Sequence, residues 1–222
     1  MKLDKNLAAV VTGGASGLGR ASAEALAGEG LKVAIFDVNE EGGQAVADAI
    51  GGIFCKVDIT SEDSVVAGYE AARAAHGQER VLVHCAQISK GGKTVRYDKT
   101  SGGYVRYSTD DYAFSAQGIL IASYRLASLS ALGMANAEPL NDDGERGAII
   151  LTASAAAQDA QIGQVGYGSL KAGVNGLVLP LARDLMDLGI RVNSIMPGIF
   201  ATPPMLAVKD RAPAIFDGLS AV

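Results

Sequence analysis

The chain of 222 residues contains no tryptophan, two histidines and two cysteines. Cys55 and Cys85 are too few for a disulfide framework, and they lack the spacing of a metal site. We therefore expect no metal ion and a reducing, cytoplasmic location. Basic residues are also scarce, since 19 Lys and Arg stand against 24 Asp and Glu, a net charge of −5. That balance argues against nucleic acid as a partner.

Long hydrophobic runs are missing as well. Residues 1–6 carry charges and lead into a short apolar run, so we expect no signal peptide. No window approaches the roughly 18 to 20 charge-free apolar residues of a membrane span, and we expect no membrane partner. Hydrophobic residues make up 49% and charged residues 19% of the chain, a composition that predicts a soluble globular protein.

Short apolar runs alternate with helical patterns along the whole chain. The predicted strands are 7–11, 31–36, 53–57, 81–84, 148–151 and 190–195, and the predicted helices are 18–29, 41–50, one beginning at Thr60 or Ser61, 110–134, 163–187 and a last stretch after Gly198. Residues 86–109 show no clear period and are predicted to form a long surface loop. This order predicts one α/β domain over residues 1–222, a Rossmann-type doubly wound parallel sheet.

A glycine-rich turn joins the first predicted strand to the first predicted helix. It reads Thr12-Gly13-Gly14-Ala15-Ser16-Gly17-Leu18-Gly19. Glycine allows a sharp bend and close approach of the backbone, and the free N–H groups at a helix start bind phosphate. The turn therefore predicts a dinucleotide site, with Gly13, Ser16, Gly17, Leu18 and Gly19 against the cofactor.

Two acidic residues follow predicted strands. Asp37 stands 18 residues after Gly19, where a carboxylate accepts hydrogen bonds from the ribose hydroxyls and repels a 2′-phosphate. This favours NAD over NADP, with a simple strand-end turn as the alternative. Asp58 ends the third strand, where contact with the adenine amino group and a helix-capping role beside Thr60 are both open.

A second set of residues points to acid/base chemistry. Tyr167 and Lys171 lie four residues apart on a predicted helix, so their side chains share a face. A nearby cation favours phenolate, and such a phenol exchanges a proton with an alcohol while hydride moves to a nicotinamide. Ser154 follows a strand at the carboxyl edge of the sheet, where it would hold the substrate oxygen. The alternative is an ordinary solvated helix face.

These residues together resemble the short-chain dehydrogenase/reductase family, and the resemblance covers almost the whole chain. The block from 145 to 203, including Pro197-Gly198-Ile199-Phe200, is similar to type II 3-hydroxyacyl-CoA dehydrogenases. The resemblance implies NAD-dependent interconversion of a secondary alcohol and a ketone in fatty acid metabolism, with a 3-hydroxyacyl-CoA or hydroxysteroid-like substrate. It also implies a homotetramer or homodimer. The residues it adds at the cofactor are Ala86, Lys171 at the nicotinamide ribose, Pro197, and Ile199 and Thr202 near the carboxamide and phosphates.

The sequence departs from the family pattern at several positions. Gln87 replaces a glycine beside the cofactor, and Ala116 replaces an asparagine that supports a proton-relay water. His84 stands at the end of a strand, either as a polar strand-end residue or near the adenosine. We also expect the final strand and tail of the family to be missing, since the chain stops at Val222. These departures leave a second hypothesis, a catalytically silent dinucleotide-binding subunit or sensor.

Overall fold

A computed structural model describes residues 1–200, 202 and 206. Its centre is a six-stranded parallel sheet in the order β3-β2-β1-β4-β7-β8. The strands are β1 (Ala8–Thr12), β2 (Lys32–Asp37), β3 (Ile53–Lys56), β4 (Glu79–His84), β7 (Gly147–Thr152) and β8 (Ile190–Ile195). All six predicted strands are confirmed, and so is the Rossmann-type fold class.

Helices cover both faces of this sheet. They are α1 (Gly17–Gly28), α2 (Glu40–Ile50), α3 (Glu62–His76), α4 (Thr109–Ala116), α5 (Ala122–Ala135) and α6 (Val165–Leu185). A π-helical segment (Gln117–Ile121) joins α4 to α5, and 3₁₀ turns lie at Ala155–Ala157 and Met186–Leu188. Most of the last helical stretch predicted after Gly198 lies outside the described residues.

Alternate side chains of each strand enter two separate hydrophobic cores, as expected for a sheet buried on both faces. Val10, Phe36 and Leu82 face α3, α5 and α6. Val11 and Ile35 face α1 and α2. Residues two apart along a strand share a face, so the last residue of β1 and the last residue of β4 project into the α3, α5 and α6 layer.

The predicted loop over residues 86–109 is partly wrong, because it contains an antiparallel hairpin. Its strands are β5 (Val95–Asp98) and β6 (Gly103–Arg106). Tyr97 and Tyr104 pair edge to face across it, with ring centroids 5.5 Å apart. The hairpin is exposed along most of its length, so its sequence carries no apolar face that would have produced a recognisable period of two.

The run from Thr109 to Ala135 is long and apolar enough by length and composition to cross a membrane. In this structure it packs on the sheet, and 56% of its most apolar 18-residue window is buried. Leu126 and Met134 are fully buried in the core. Its apolarity therefore follows from its place as a core helix.

A buried charge cluster fixes the start of β4. Glu79 is 1% exposed and accepts hydrogen bonds from Arg73 Nε at 2.9 Å and Nη2 at 2.8 Å. Ser130 on α5 donates a third at 3.0 Å. The cluster ties α3, β4 and α5 together well away from the glycine-rich turn.

Candidate active site

The glycine-rich turn adopts a conformation that only glycine accepts easily. Gly13 and Gly17 have φ values of +68° and +54°, in the left-handed region. A Cβ at Gly13 would lie 2.8 Å from the backbone nitrogen of Ala86, and a Cβ at Gly19 would overlap the Gly13 carbonyl oxygen. The turn is thus packed tightly against the end of β4.

The start of α1 fits an anionic group. Ser16 is the N-cap residue, but its side chain makes no capping hydrogen bond, and the first helical turn contains no acidic residue. The first N–H groups of α1 therefore keep the positive end of the helix open. The predicted residues Ser16, Gly17 and Leu18 line this end, so the turn has the shape and polarity that a pyrophosphate requires.

Asp37 reaches the same turn from the end of β2. One carboxylate oxygen accepts from the Ala15 N–H at 3.1 Å and the other from the Asn39 N–H at 3.0 Å. The turn role is therefore present. Each carboxylate oxygen accepts more than one hydrogen bond, so both remain able to accept from ribose hydroxyls.

Asp58 is exposed and bonds locally. Its Oδ1 accepts from the Thr60 N–H at 2.8 Å and the Thr60 hydroxyl at 2.7 Å. Ser61 rather than Asp58 caps α3, accepting from the Ser64 N–H. Of the two alternatives for Asp58, the structure contains a turn beside the cap, while contact with adenine stays a prediction.

Thr12 and His84, neighbours at the ends of β1 and β4, form a polar link that the sequence did not reveal. The Thr12 hydroxyl oxygen lies 2.7 Å from His84 Nδ1 and also accepts from the N–H groups of Cys85 at 3.2 Å and Ala86 at 3.1 Å. His84 is 2% exposed, so it is far more deeply buried than a polar strand-end residue usually is. The link holds Ala86 against the glycine-rich turn.

The three predicted acid/base residues lie around the ends of β7 and the start of α6. Ser154 follows β7, and its hydroxyl accepts from the Ala156 N–H at 3.2 Å. The turn that follows Ser154 packs under α6, where a Cβ at Gly168 would lie 2.8 Å from the Ala156 oxygen. Tyr167 is half-buried one turn before Lys171. The structure therefore brings the Ser154 turn against the helix that carries Tyr167 and Lys171.

Lys171 is buried, at 4% exposure, and it is held in place by the sheet. Its Nζ donates to the Thr152 carbonyl at 2.6 Å and lies 5.7 Å from the centre of the Tyr167 ring. Burial lowers the pKa of Lys171 from 10.5 to about 8. The side chain is therefore mostly charged at neutral pH, and it carries that charge beside the phenol.

Cys85 lies on the other side of Thr152. The Thr152 hydroxyl donates to its Sγ at 3.5 Å, and burial raises the pKa of the Cys85 thiol. Cys85 is thus a neutral, hydrogen-bonded thiol at neutral pH. This matches a packing role.

The departures from the family pattern cause no backbone strain. Gln87 is exposed, and its φ is negative, since all positive φ values among the described residues belong to glycine. The concern that Gln87 resists a left-handed backbone is therefore removed. Ala116 ends α4 and packs against the core on the α6 side of the sheet, where it offers no polar side-chain atom.

The residues predicted after β8 are only partly described. Thr202 lies against the glycine-rich turn, where a Cβ at Gly17 would come within 3.0 Å of its methyl group. Pro197 is half-buried and its carbonyl accepts from the Ala155 N–H at 3.0 Å, whereas Ile199 is 48% exposed. Thr202 and Pro197 therefore join the two halves of the cleft, and the contact predicted for Ile199 stays a prediction.

The model of the short chain dehydrogenase family matches residues 7–212. This chain belongs to the short chain dehydrogenase family. It is therefore an oxidoreductase, and the sheet edge described above is the place of the family's active site. The resemblance seen in the sequence is confirmed.

Similar proteins narrow the place of this chain within the short chain dehydrogenases. It is 40% identical to 3-hydroxyacyl-CoA dehydrogenase type-2 of Drosophila melanogaster, over 93% of this chain and 80% of that protein. It is 38% identical to the Homo sapiens protein of the same name, over 93% and 78%. The crystal structure of 3-hydroxyacyl-CoA dehydrogenase type-2 from Mycobacterium avium superposes with a TM-score of 0.83 at 39% identity, covering 96% of this chain and 83% of that one.

Proposed function

We propose that the protein is an NAD-dependent dehydrogenase that interconverts a secondary alcohol and a ketone. The observation that carries this proposal is the buried Lys171 ammonium, fixed by the Thr152 carbonyl and placed 5.7 Å from the Tyr167 ring centre. A cation built into the core at this cost stands beside the one phenol on its helix face. The open α1 start lies at the same edge of the sheet.

NAD, when bound, supplies the acceptor for hydride. The α1 N–H groups and the glycine-rich turn hold the phosphates, and Asp37 accepts from the ribose hydroxyls while its charge disfavours a 2′-phosphate. We therefore expect saturation by NAD at far lower concentration than by NADP. Equal affinity for the two would contradict the role of Asp37.

Proton transfer falls to Tyr167. Its hydroxyl accepts the alcohol proton during oxidation and returns a proton to the ketone during reduction. The Lys171 charge stabilises the phenolate that forms, and the Ser154 hydroxyl holds the substrate oxygen in reach. Each residue keeps its position because α6 packs on the Ser154 turn.

The substrate class is proposed from the relatives. Three of them carry the name 3-hydroxyacyl-CoA dehydrogenase type-2. We therefore propose a 3-hydroxyacyl-CoA in fatty acid metabolism as substrate, with a hydroxysteroid-like alcohol as the other candidate. A panel of both, monitored by NADH absorbance, separates the two.

The decisive variant is Tyr167→Phe, which keeps the ring and removes the hydroxyl. We expect kcat to fall by about 10² to 10⁴-fold because the proton acceptor is lost, with NADH affinity unchanged. Tyr124→Phe is the matched control, since Tyr124 lies on α5 and is 54% exposed. If Tyr167→Phe turned over like the control, the mechanism would be refuted.

A silent dinucleotide-binding subunit is the second candidate, and Ala116 favours it because this residue brings no polar group to the relay position. It predicts a thermal shift with NADH but no turnover of any alcohol. We further propose a homo-oligomer, because α5 exposes Tyr124 at 54% and Leu132 at 61%, and such apolar patches favour a second copy. Light scattering coupled to gel filtration tests this. The cytoplasmic location stays a prediction.

A further inference from the structure

We propose that His84 is a positioning residue of the active site: Thr12 fixes its ring as the neutral Nε2–H tautomer, and that N–H holds a water molecule which Lys171 also contacts. The proposal goes beyond the proposed function and rests on it for the role of Lys171. Its first element, the tautomer, follows from hydrogen-bond geometry alone.

The Thr12 hydroxyl has one hydrogen and two lone pairs. Two backbone N–H groups, those of Cys85 and Ala86, donate to its oxygen at 3.2 and 3.1 Å. The hydroxyl hydrogen is then left for the third neighbour, His84 Nδ1 at 2.7 Å. Nδ1 must accept, so the proton of a neutral ring sits on Nε2. A charged ring would have no lone pair for Thr12.

The surroundings keep the ring neutral. His84 is 2% exposed, and burial together with the nearby Lys171 charge lowers the pKa of His84 from 6.5 to about 3. Two buried cations at adjacent strand ends would repel each other strongly. His84 thus keeps a single tautomer throughout the pH range in which a dehydrogenase works.

The Nε2–H donor needs a partner. Among the described residues it makes no hydrogen bond, and the one polar contact of the ring is with Thr12. Buried N–H donors are nearly always paired, with ordered water where protein is not available. We therefore assign a water to Nε2.

Strand register places this water close to Lys171. His84 pairs with Leu151 on β7, and Lys171 donates to the carbonyl of the next residue, Thr152. His84 faces the core layer that contains α6, because Leu82 on the same strand does so. The Lys171 ammonium has three hydrogens, of which Thr152 takes one. A water between the two residues accepts from both.

The titratable groups around Lys171 are few. Tyr167 lies on its own helix, Cys85 follows β4 as a neutral thiol, and His84 ends β4. The packed segment Gln117–Ile121 contains no ionisable side chain. A change in the titration of Lys171 on altering His84 is therefore readily interpreted.

The tautomer is measured by ¹⁵N NMR of the histidine rings without substrate or cofactor. The chain has two histidines, and His76→Gln leaves His84 as the single signal. We expect unprotonated Nδ1 and protonated Nε2 from about pH 6 to 9. Protonation of Nδ1, or a ring that becomes charged in this range, overturns the proposal. Thr12→Ser keeps the hydroxyl and must keep the tautomer.

The water-mediated part is tested with two variants. Asn at position 84 retains an acceptor near Nδ1 but leaves the Nε2 position empty, whereas Gln reaches it with an N–H. The titration of Lys171 is followed by its ¹³Cε signal. In His84→Asn we expect its midpoint to fall by about half a unit, because the ammonium loses a fixed water, and in His84→Gln to stay near the wild-type value.

Kinetics supply the second readout. We expect kcat to fall about tenfold in His84→Asn and less than about threefold in His84→Gln, with the KM for NAD little changed. Equal midpoints of Lys171 in all three proteins, or equal shifts in both variants, would show that His84 only supports the fold. These NMR results hold even if no alcohol is turned over, so failure of the proposed function is recognised separately.

Discussion

Replacement of Lys171 by methionine tests the energetic cost of the active site. Lys171 is 4% exposed, and burial lowers its pKa from 10.5 to about 8. The unfolded chain therefore binds this proton more tightly than the folded protein does. At pH values below 8 the buried charge costs about 3 kcal/mol of folding free energy, from 1.36 kcal/mol for each pH unit between the two values.

The pH dependence follows from this difference. Between pH 8 and 10.5 the folded protein loses the proton first, so the wild type gains stability as the pH rises, by about 3 kcal/mol in total over the window. Below pH 8 both states carry the proton, and the contribution is constant. Lys171→Met lacks this dependence. The difference in unfolding free energy between the two proteins cancels all other titrations that they share.

At neutral pH the variant trades two terms. It removes the buried charge, but it leaves the Thr152 carbonyl without its partner, which costs about 1 to 3 kcal/mol. We therefore expect Lys171→Met to be inactive yet as stable as the wild type, within about 2 kcal/mol. Urea unfolding at about pH 7, 9 and 10 measures this. A free-energy difference that stays the same at all three pH values would refute the reasoning.

Two further substitutions test the frame around the site. Gly19→Ala would drive a methyl group into the Gly13 carbonyl oxygen, so we expect NADH binding by fluorescence to be lost, whereas Gly28→Ala, with open space around it, binds normally. Glu79→Gln leaves Arg73 without its buried carboxylate and should lower the unfolding free energy by about 3 kcal/mol in urea, with KM for NAD unaltered. A stability loss no larger than that of the exposed pair variant Glu24→Gln would contradict this second expectation.

Much of the fold follows from sequence pattern because its strands are buried on both faces. Such strands are continuous apolar runs, and the turn residues between them mark their ends. The hairpin of β5 and β6 escaped this logic. Its side chains are mostly exposed, so neither burial nor periodicity marks it in the sequence.

The acid/base set was also visible, because spacing on a helix is read directly from sequence. The link between Thr12 and His84 was not. The two residues are 72 positions apart, and only strand order brings β1 beside β4. A histidine at a strand end gives no sign of whether it is solvated or buried, so its hydrogen bond required coordinates.

The two parts of the site depend on each other through charge. Lys171 must stay protonated to stabilise a phenolate, and burial already works against that. A second cation on the neighbouring strand would depress its protonation further. Thr12 prevents this by donating to His84 Nδ1, which a charged ring could not accept. The same hydroxyl accepts from Ala86 beside the glycine-rich turn, so the residue that shapes the dinucleotide end also keeps the charge at the chemical end single.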